Sequence, residues 1–114
     1  MDKKCYIYFI RCGKPGGPIK IGMSHNVERR LLSLQTSNPY KLTLIVKIQF
    51  DSKKQTEKIE KWLHNRFKRK HLRGEWFKGS IKLKQIDACM EYAIADKDWD
   101  EVRIENGGRN YHKN

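Results

Sequence analysis

The feature that most limits what this chain can fold into is a pair of short apolar runs, "KCYIYFIR" at 4–11 and "IKIG" at 19–22, separated by "CGKPGGP". The first run alternates, with Tyr6, Tyr8 and Ile10 on one face and Cys5, Ile7 and Phe9 on the other, and its aromatic and β-branched residues suit a strand. In the second, Ile19 and Ile21 face one way and Lys20 and Gly22 the other. The three glycines and two prolines between them terminate ladders and supply turn geometry. The two runs are therefore expected to pair as a β-hairpin with a loose, basic loop.

Asn26 is a good N-cap and Glu28 sits in the first turn, where the helix dipole favours an acid, so a first helix is expected over Val27 to Gln35 with Leu31 and Leu34 facing the core. "TSNPYK" ends it, because the residue before Pro39 is pushed out of helical geometry. In "KLTLIVKIQF", Leu42, Leu44, Val46, Ile48 and Phe50 alternate with Thr43, Ile45, Lys47 and Gln49, which predicts one long strand. Ser52 and Gln55 read as a capping box, followed by Ile59, Trp62, Leu63 and Phe67 at helical spacing, so a second helix is expected over roughly 53–69. "GEWF" reads as a short extended structural piece, with Trp76 and Phe77 packing a third helix that Ser80 would cap and that carries Ile81, Ile86, Met90 and Ile94. The expected fold is α+β: a small antiparallel sheet with a β-hairpin, flanked by about three helices. Residues 1–95 form the domain and 96–114 a polar C-terminal tail, frayed over its last dozen residues.

A chain of 114 residues fits one domain, and 38% hydrophobic residues with three Trp, five Tyr and four Phe exclude a disordered composition. Lys and Arg number 25 against 13 Asp and Glu, a net charge of +12, which points to a polyanion and foremost to nucleic acid. The charge is uneven, with nine Lys or Arg against one acid, Glu75, between Lys61 and Lys84. Lys53, Lys54, Lys68, Arg69, Lys70 and Arg73 are the candidates for following a nucleic-acid backbone, contacts that give salt-dependent affinity without a base code. Three cysteines, Cys5, Cys12 and Cys89, without a C-x-x-C pair support neither a disulfide framework nor a zinc site, and fit a reducing cytoplasm. No run approaches a membrane span, and "MDKKCYIYFI" lacks the features of a signal peptide, so a cytoplasmic protein without a membrane partner is expected.

"YIYFI" in a first strand, "KIG" in a second, an arginine eight residues after that glycine, a glutamate in "EKIEKWLH" and a closing "GEWF" together resemble the GIY-YIG nuclease domain, in the phage and MUG-type branch whose second tripeptide is written KIG. The resemblance spans about residues 5–79. It implies a phosphodiester hydrolase using one divalent cation, Mg2+ or Mn2+, and a hydrolytic water. Position by position, it puts the first-motif tyrosine at Tyr8, the second motif at Lys20, Ile21 and Gly22, the arginine at Arg30 and the metal-binding glutamate at Glu60.

The residue types suit that chemistry. Phosphodiester hydrolysis requires neutralisation of the non-bridging oxygens, activation of water and help for the leaving oxygen. Arg30 is a planar donor that stays protonated, and Glu60 is a hard oxygen ligand of the kind magnesium prefers. Tyr8 is expected as base or water positioner, provided that a nearby cation and the metal lower its pKa; Lys20 could do that, which requires Tyr8 and Lys20 to share a sheet face. Lys20 in place of the usual tyrosine leaves the base open. His64, one turn after Glu60, is a candidate to bond a phosphate or leaving group, or to orient Glu60; Asn38 and Tyr40 are weaker candidates, and Arg29 is expected at the surface.

The function expected is a metal-dependent endonuclease acting on DNA ahead of RNA. A monomer with one site would nick one strand, so double-strand cleavage calls for a homodimer or two visits. The alternatives are a catalytically inactive nucleic-acid-binding module of the same fold, and a basic RNA-associated structural protein.

Overall fold

The structure, a computed structural model, describes residues 4–96, 101–105 and 110–112, with side chains as far as residue 91. Strands β1 (Cys5–Cys12) and β2 (Ile19–Ser24) form the expected antiparallel hairpin, with Tyr8 opposite Gly22 and Ile10 opposite Lys20. Cross-strand partners share a face, so this register puts Tyr8, Lys20 and Gly22 on the same side of the sheet. Helix α1 (Val27–Thr36) follows, capped by the Asn26 side chain, which accepts from the Arg29 N–H at 3.0 Å. Then come β3 (Leu42–Phe50), α2 (Lys53–Arg66), a 3₁₀ turn at Lys68–Lys70, β4 (His71–Arg73), β5 (Trp76–Phe77) and α3 (Leu83–Asp96). The fold is α+β, an antiparallel sheet with three helices.

Four of the sequence expectations are corrected. The strict alternation of β3 fails at a bulge, where Phe9 pairs with Val46 but Ile10 with Leu44, so Ile45 is the extra residue. Leu42 and Leu44 consequently pack on the α1 side, while Val46, Ile48 and Phe50 pack on the other. Second, α2 stops at Arg66 and tightens into the 3₁₀ turn. Third, Ser80 caps nothing. Its Oγ accepts from the Lys70 ammonium at 3.0 Å, and the first turn of α3 is tied instead by the Gln85 side chain, which accepts from the Lys82 N–H at 2.8 Å. Fourth, the expected polar tail contains two strands, β6 (Glu101–Glu105) against β3 and β7 (Asn110–His112) against β6. The sheet then has seven strands in the order β4-β5-β2-β1-β3-β6-β7. The side chain of Ile94 lies outside the described residues, as does the backbone at 97–100, 106–109 and 113–114.

Helices cover both faces. On one, Ile7, Phe9, Ile19, Ile21, Val46, Ile48 and Phe50 pack against Ile59 and Leu63 of α2 and Ile86 and Met90 of α3. On the other, Tyr8, Ile10 and Leu42 meet Val27, Leu31 and Leu34 of α1. Burying one such aliphatic side chain contributes about 1.5–3 kcal/mol, so the first and larger cluster dominates the hydrophobic stabilisation. Trp76, expected to pack α3, lies instead with the α1 cluster, because adjacent strand residues point to opposite faces and Phe77 takes the α3 side. Among the described residues no helix is long and apolar enough to cross a membrane.

Candidate active site

The stripe of α2 that carries Glu60 and His64 lies against the β2 side of the sheet, which β5 covers only at Ile19 and Lys20. The His64 Nε2 lies 2.8 Å from the carbonyl oxygen of Ile21. A carbonyl only accepts, so Nε2 carries the proton and Nδ1 keeps the lone pair in the neutral ring. The edge of Phe77 packs on the ring with centroids 5.1 Å apart, which fixes its orientation. On the other flank of β2, the Ile21 N–H donates to the carbonyl of Glu75 at 3.0 Å, and this bond brings the Glu75 side chain to the same place.

Glu60, His64 and Glu75 each offer a ligand atom within 4.8 Å of the others. Glu60 Oε2 is buried without a hydrogen-bond partner among the described residues. Burial, reinforced by the charge of Glu75 and by sharing a hydrogen bond with it, pushes the Glu60 carboxyl up to about 7, against the opposing pull of Lys20. Two carboxyls this close, one with an orphan buried oxygen, are satisfied by a proton or a cation between them. Two hard oxygens and an imidazole whose second N–H is fixed by a backbone carbonyl form a donor set that suits a divalent cation.

Lys20 is expected beside Tyr8, and the shared face is as required, but its ammonium pairs with Glu75 Oε1 at 3.1 Å and lies 5.6 Å from the centre of the Trp76 ring. The cation beside the Tyr8 hydroxyl is Arg30, whose hydrogen-bonding and charge favour the phenolate. Burial nevertheless raises the phenol above its usual range, because desolvation outweighs both. The expected lowering of the Tyr8 pKa by Lys20 is therefore not what the fold provides: the phenol stays protonated, its oxygen facing a guanidinium that can only donate and its own proton left to donate elsewhere. Gly22 makes room for it, since a Cβ at that position would collide with the Tyr8 hydroxyl and come 3.0 Å from Glu75 Oε1.

Tyr8, Lys20, Arg30, Glu60 and His64 are thus brought together from β1, β2, α1 and α2. Glu75 is the member that sequence reasoning missed; its signal was the lone acid in a basic stretch, sitting directly after the turn glycine Gly74. Of the others, Arg29 is exposed, as expected. Asn38 Oδ1 accepts from the Tyr40 N–H at 2.9 Å and closes a turn, while the Tyr40 side chain is exposed. The expected backbone-following cations do not form one patch. Lys53 and Lys54 open α2, with Lys53 3.9 Å from Glu57, whereas Lys68, Arg69 and Lys70 lie past its other end and Arg73 is on β4. A 14-residue helix separates the two groups by about 20 Å.

Residues 5–94 match the T5orf172 domain. The chain belongs to the T5orf172 domain family. The match takes in all the residues of the cluster just described, so the T5orf172 domain of this chain and its candidate site coincide. Neither the curated proteins nor the solved structures give a match to it.

Proposed function

We propose that this T5orf172 domain is a divalent-cation-dependent endonuclease of GIY-YIG type that hydrolyses phosphodiester bonds in DNA. The observation that carries the reading is the buried carboxylate oxygen of Glu60, without a hydrogen-bond partner among the described residues and clustered with Glu75 and His64 next to Tyr8 and Arg30. Glu60, Glu75 and His64 would hold Mg2+ or Mn2+. When bound, the cation neutralises phosphate charge and acidifies a water.

The chain's own residues divide the remaining work. Arg30, exposed and beside Tyr8, places a permanently charged fork on a non-bridging oxygen. Tyr8, held neutral, donates through its hydroxyl to orient the attacking water or the phosphate. Lys20 balances the second carboxylate, so that two acids coexist in one site. The net charge of +12 draws the polyanion in.

Incubation of supercoiled plasmid with purified protein and Mg2+ or Mn2+ tests this. Nicking by the parent chain, lost in Glu60→Ala and Arg30→Ala, is the expected result. DNA binding with no cleavage under any divalent cation would replace it with a non-catalytic binding module.

A further inference from the structure

On the opposite side of α2 from Glu60, the helix and α3 enclose a cavity of about 790 Å3. Trp62 and Arg66 line it, and they stand about 200° around the helix from the Glu60–His64 stripe, as residues two positions apart do. Its volume lies within the roughly 300–1,000 Å3 typical of ligand pockets. The lining combines two aromatic rings, Trp62 and Phe67, with three cations, Arg66, Arg69 and Lys70, and the amide of Gln85. None of the described lining residues is an acid.

Each group has a definite placement. Phe67 is buried and Trp62 half-buried, so the apolar surface is at depth. The Arg66 guanidinium lies close enough to the Cys89 thiol on α3 to favour its charged form, Lys70 donates a hydrogen bond to Ser80, and Arg69 is exposed. Cations without a carboxylate partner select an anion, and flat rings behind them select a planar apolar group. The Gln85 carboxamide, whose oxygen accepts from the Lys82 N–H, keeps its two N–H donors for acceptors on a heteroaromatic edge. A nucleotide unites these properties, whereas a simple phosphate leaves the rings unused and a lipid leaves the amide unused.

We infer that this cavity receives an unpaired nucleotide of the bound DNA strand, with its base against Trp62 and its phosphate on Arg66 and Arg69. A base inside a duplex is already stacked on both sides and cannot enter. The domain is accordingly selective for bulged, frayed or branched DNA over perfect duplex. The identity of the strand rests on the endonuclease reading; the nucleotide chemistry of the cavity does not.

The test is binding in chelator, where cleavage plays no part. Labelled perfect duplex is compared with the same duplex carrying one extra unpaired nucleotide, and the second is expected to bind about tenfold tighter, the scale of one base stacked on an aromatic ring. Gln85→Ala and Arg66→Ala should each cut that preference below about threefold, with circular dichroism confirming that both variants fold. A 5-iodouracil at the unpaired position should photocrosslink to the peptide containing Trp62, a readout that needs no variant. Equal affinities, a preference that survives both substitutions, or a crosslink elsewhere would overturn the inference. Displacement by micromolar free deoxynucleoside monophosphate would also overturn it, in favour of a small-molecule nucleotide site. Loss of plasmid nicking alone bears on the hydrolase, and loss of the bulge preference alone bears on the cavity.

Discussion

On the face covered by α2 and α3, the sheet contributes Ile7, Phe9, Ile19, Ile21, Ile48 and Phe50, all without solvent contact, whereas the α1 face buries Lys20, Lys47 and Gln49 beside Tyr8 and Ile10. The first face is held by area removed from water. The second places charged and polar groups where desolvation is costly, and partners offset that cost, among them Glu75 for Lys20, Glu28 at 2.9 Å for Lys47 and the Tyr6 hydroxyl at 3.3 Å for Gln49. Lys47 in turn holds the exposed Glu28 carboxyl below its usual range. The contrast teaches that the apolar face supplies rigidity and the polar face spends some of it on chemistry. Glu60 and His64 join the two, since their helix packs on the first face while their side chains reach the β2 flank of the second.

The comparison can be broken in three ways. The largest effect is expected from Leu63→Ala, which empties a fully buried position of α2 and should lower unfolding stability by about 3 kcal/mol, read as a shifted urea midpoint with unchanged slope. A loss under about 1 kcal/mol would mean that the apolar face is not the tight one. Next is Glu60→Gln. In metal-free protein Glu60 keeps its proton to about pH 7 when folded and to about 4.5 when unfolded, so the folded state binds more protons in that window and stability falls as pH rises through it. Glutamine removes the dependence, and at pH 8 the variant should be more stable by of order 2 kcal/mol, a figure already reduced for solvent screening and for sharing with Glu75. Parallel melting curves of the two proteins from pH 4.5 to 8 would contradict this. The smallest is Gly22→Ala, whose methyl must displace the Tyr8 hydroxyl at a cost of about 1–2 kcal/mol, and which should reduce any nicking by at least about tenfold with DNA affinity retained. Unchanged nicking would separate Tyr8 from the reaction.

Much of the α1 side was legible. Asn26 and Ser52 announce their helices, and both caps form. The alternation of "KCYIYFIR" assigns Tyr6, Tyr8 and Ile10 to one face correctly, because that strand has no irregularity before Ile10. What stayed hidden depends on pairing between distant segments. Glu75 enters the site only because β5 docks on β2 and its carbonyl accepts from Ile21, which no local pattern in "RGEWFKGS" encodes. The partner of Lys20 was missed for the same reason. The first strand after α3 was missed although "EVRIE" alternates, because two apolar residues make a short signal and the partner strand β3 lies far away in the sequence.

The extra residue in β3 gives the chain an unequal tolerance to change. Deleting Ile45 would leave Leu44 opposite Ile10 and Val46 opposite Phe9, so Lys47 and Gln49 would keep the α1 side and Ile48 and Phe50 the other. Deleting Ile48, where the ladder has no residue to spare, would turn Gln49 into oil and Phe50 toward the α1 side, so a one-codon deletion should be survivable at the first position and lethal to folding at the second.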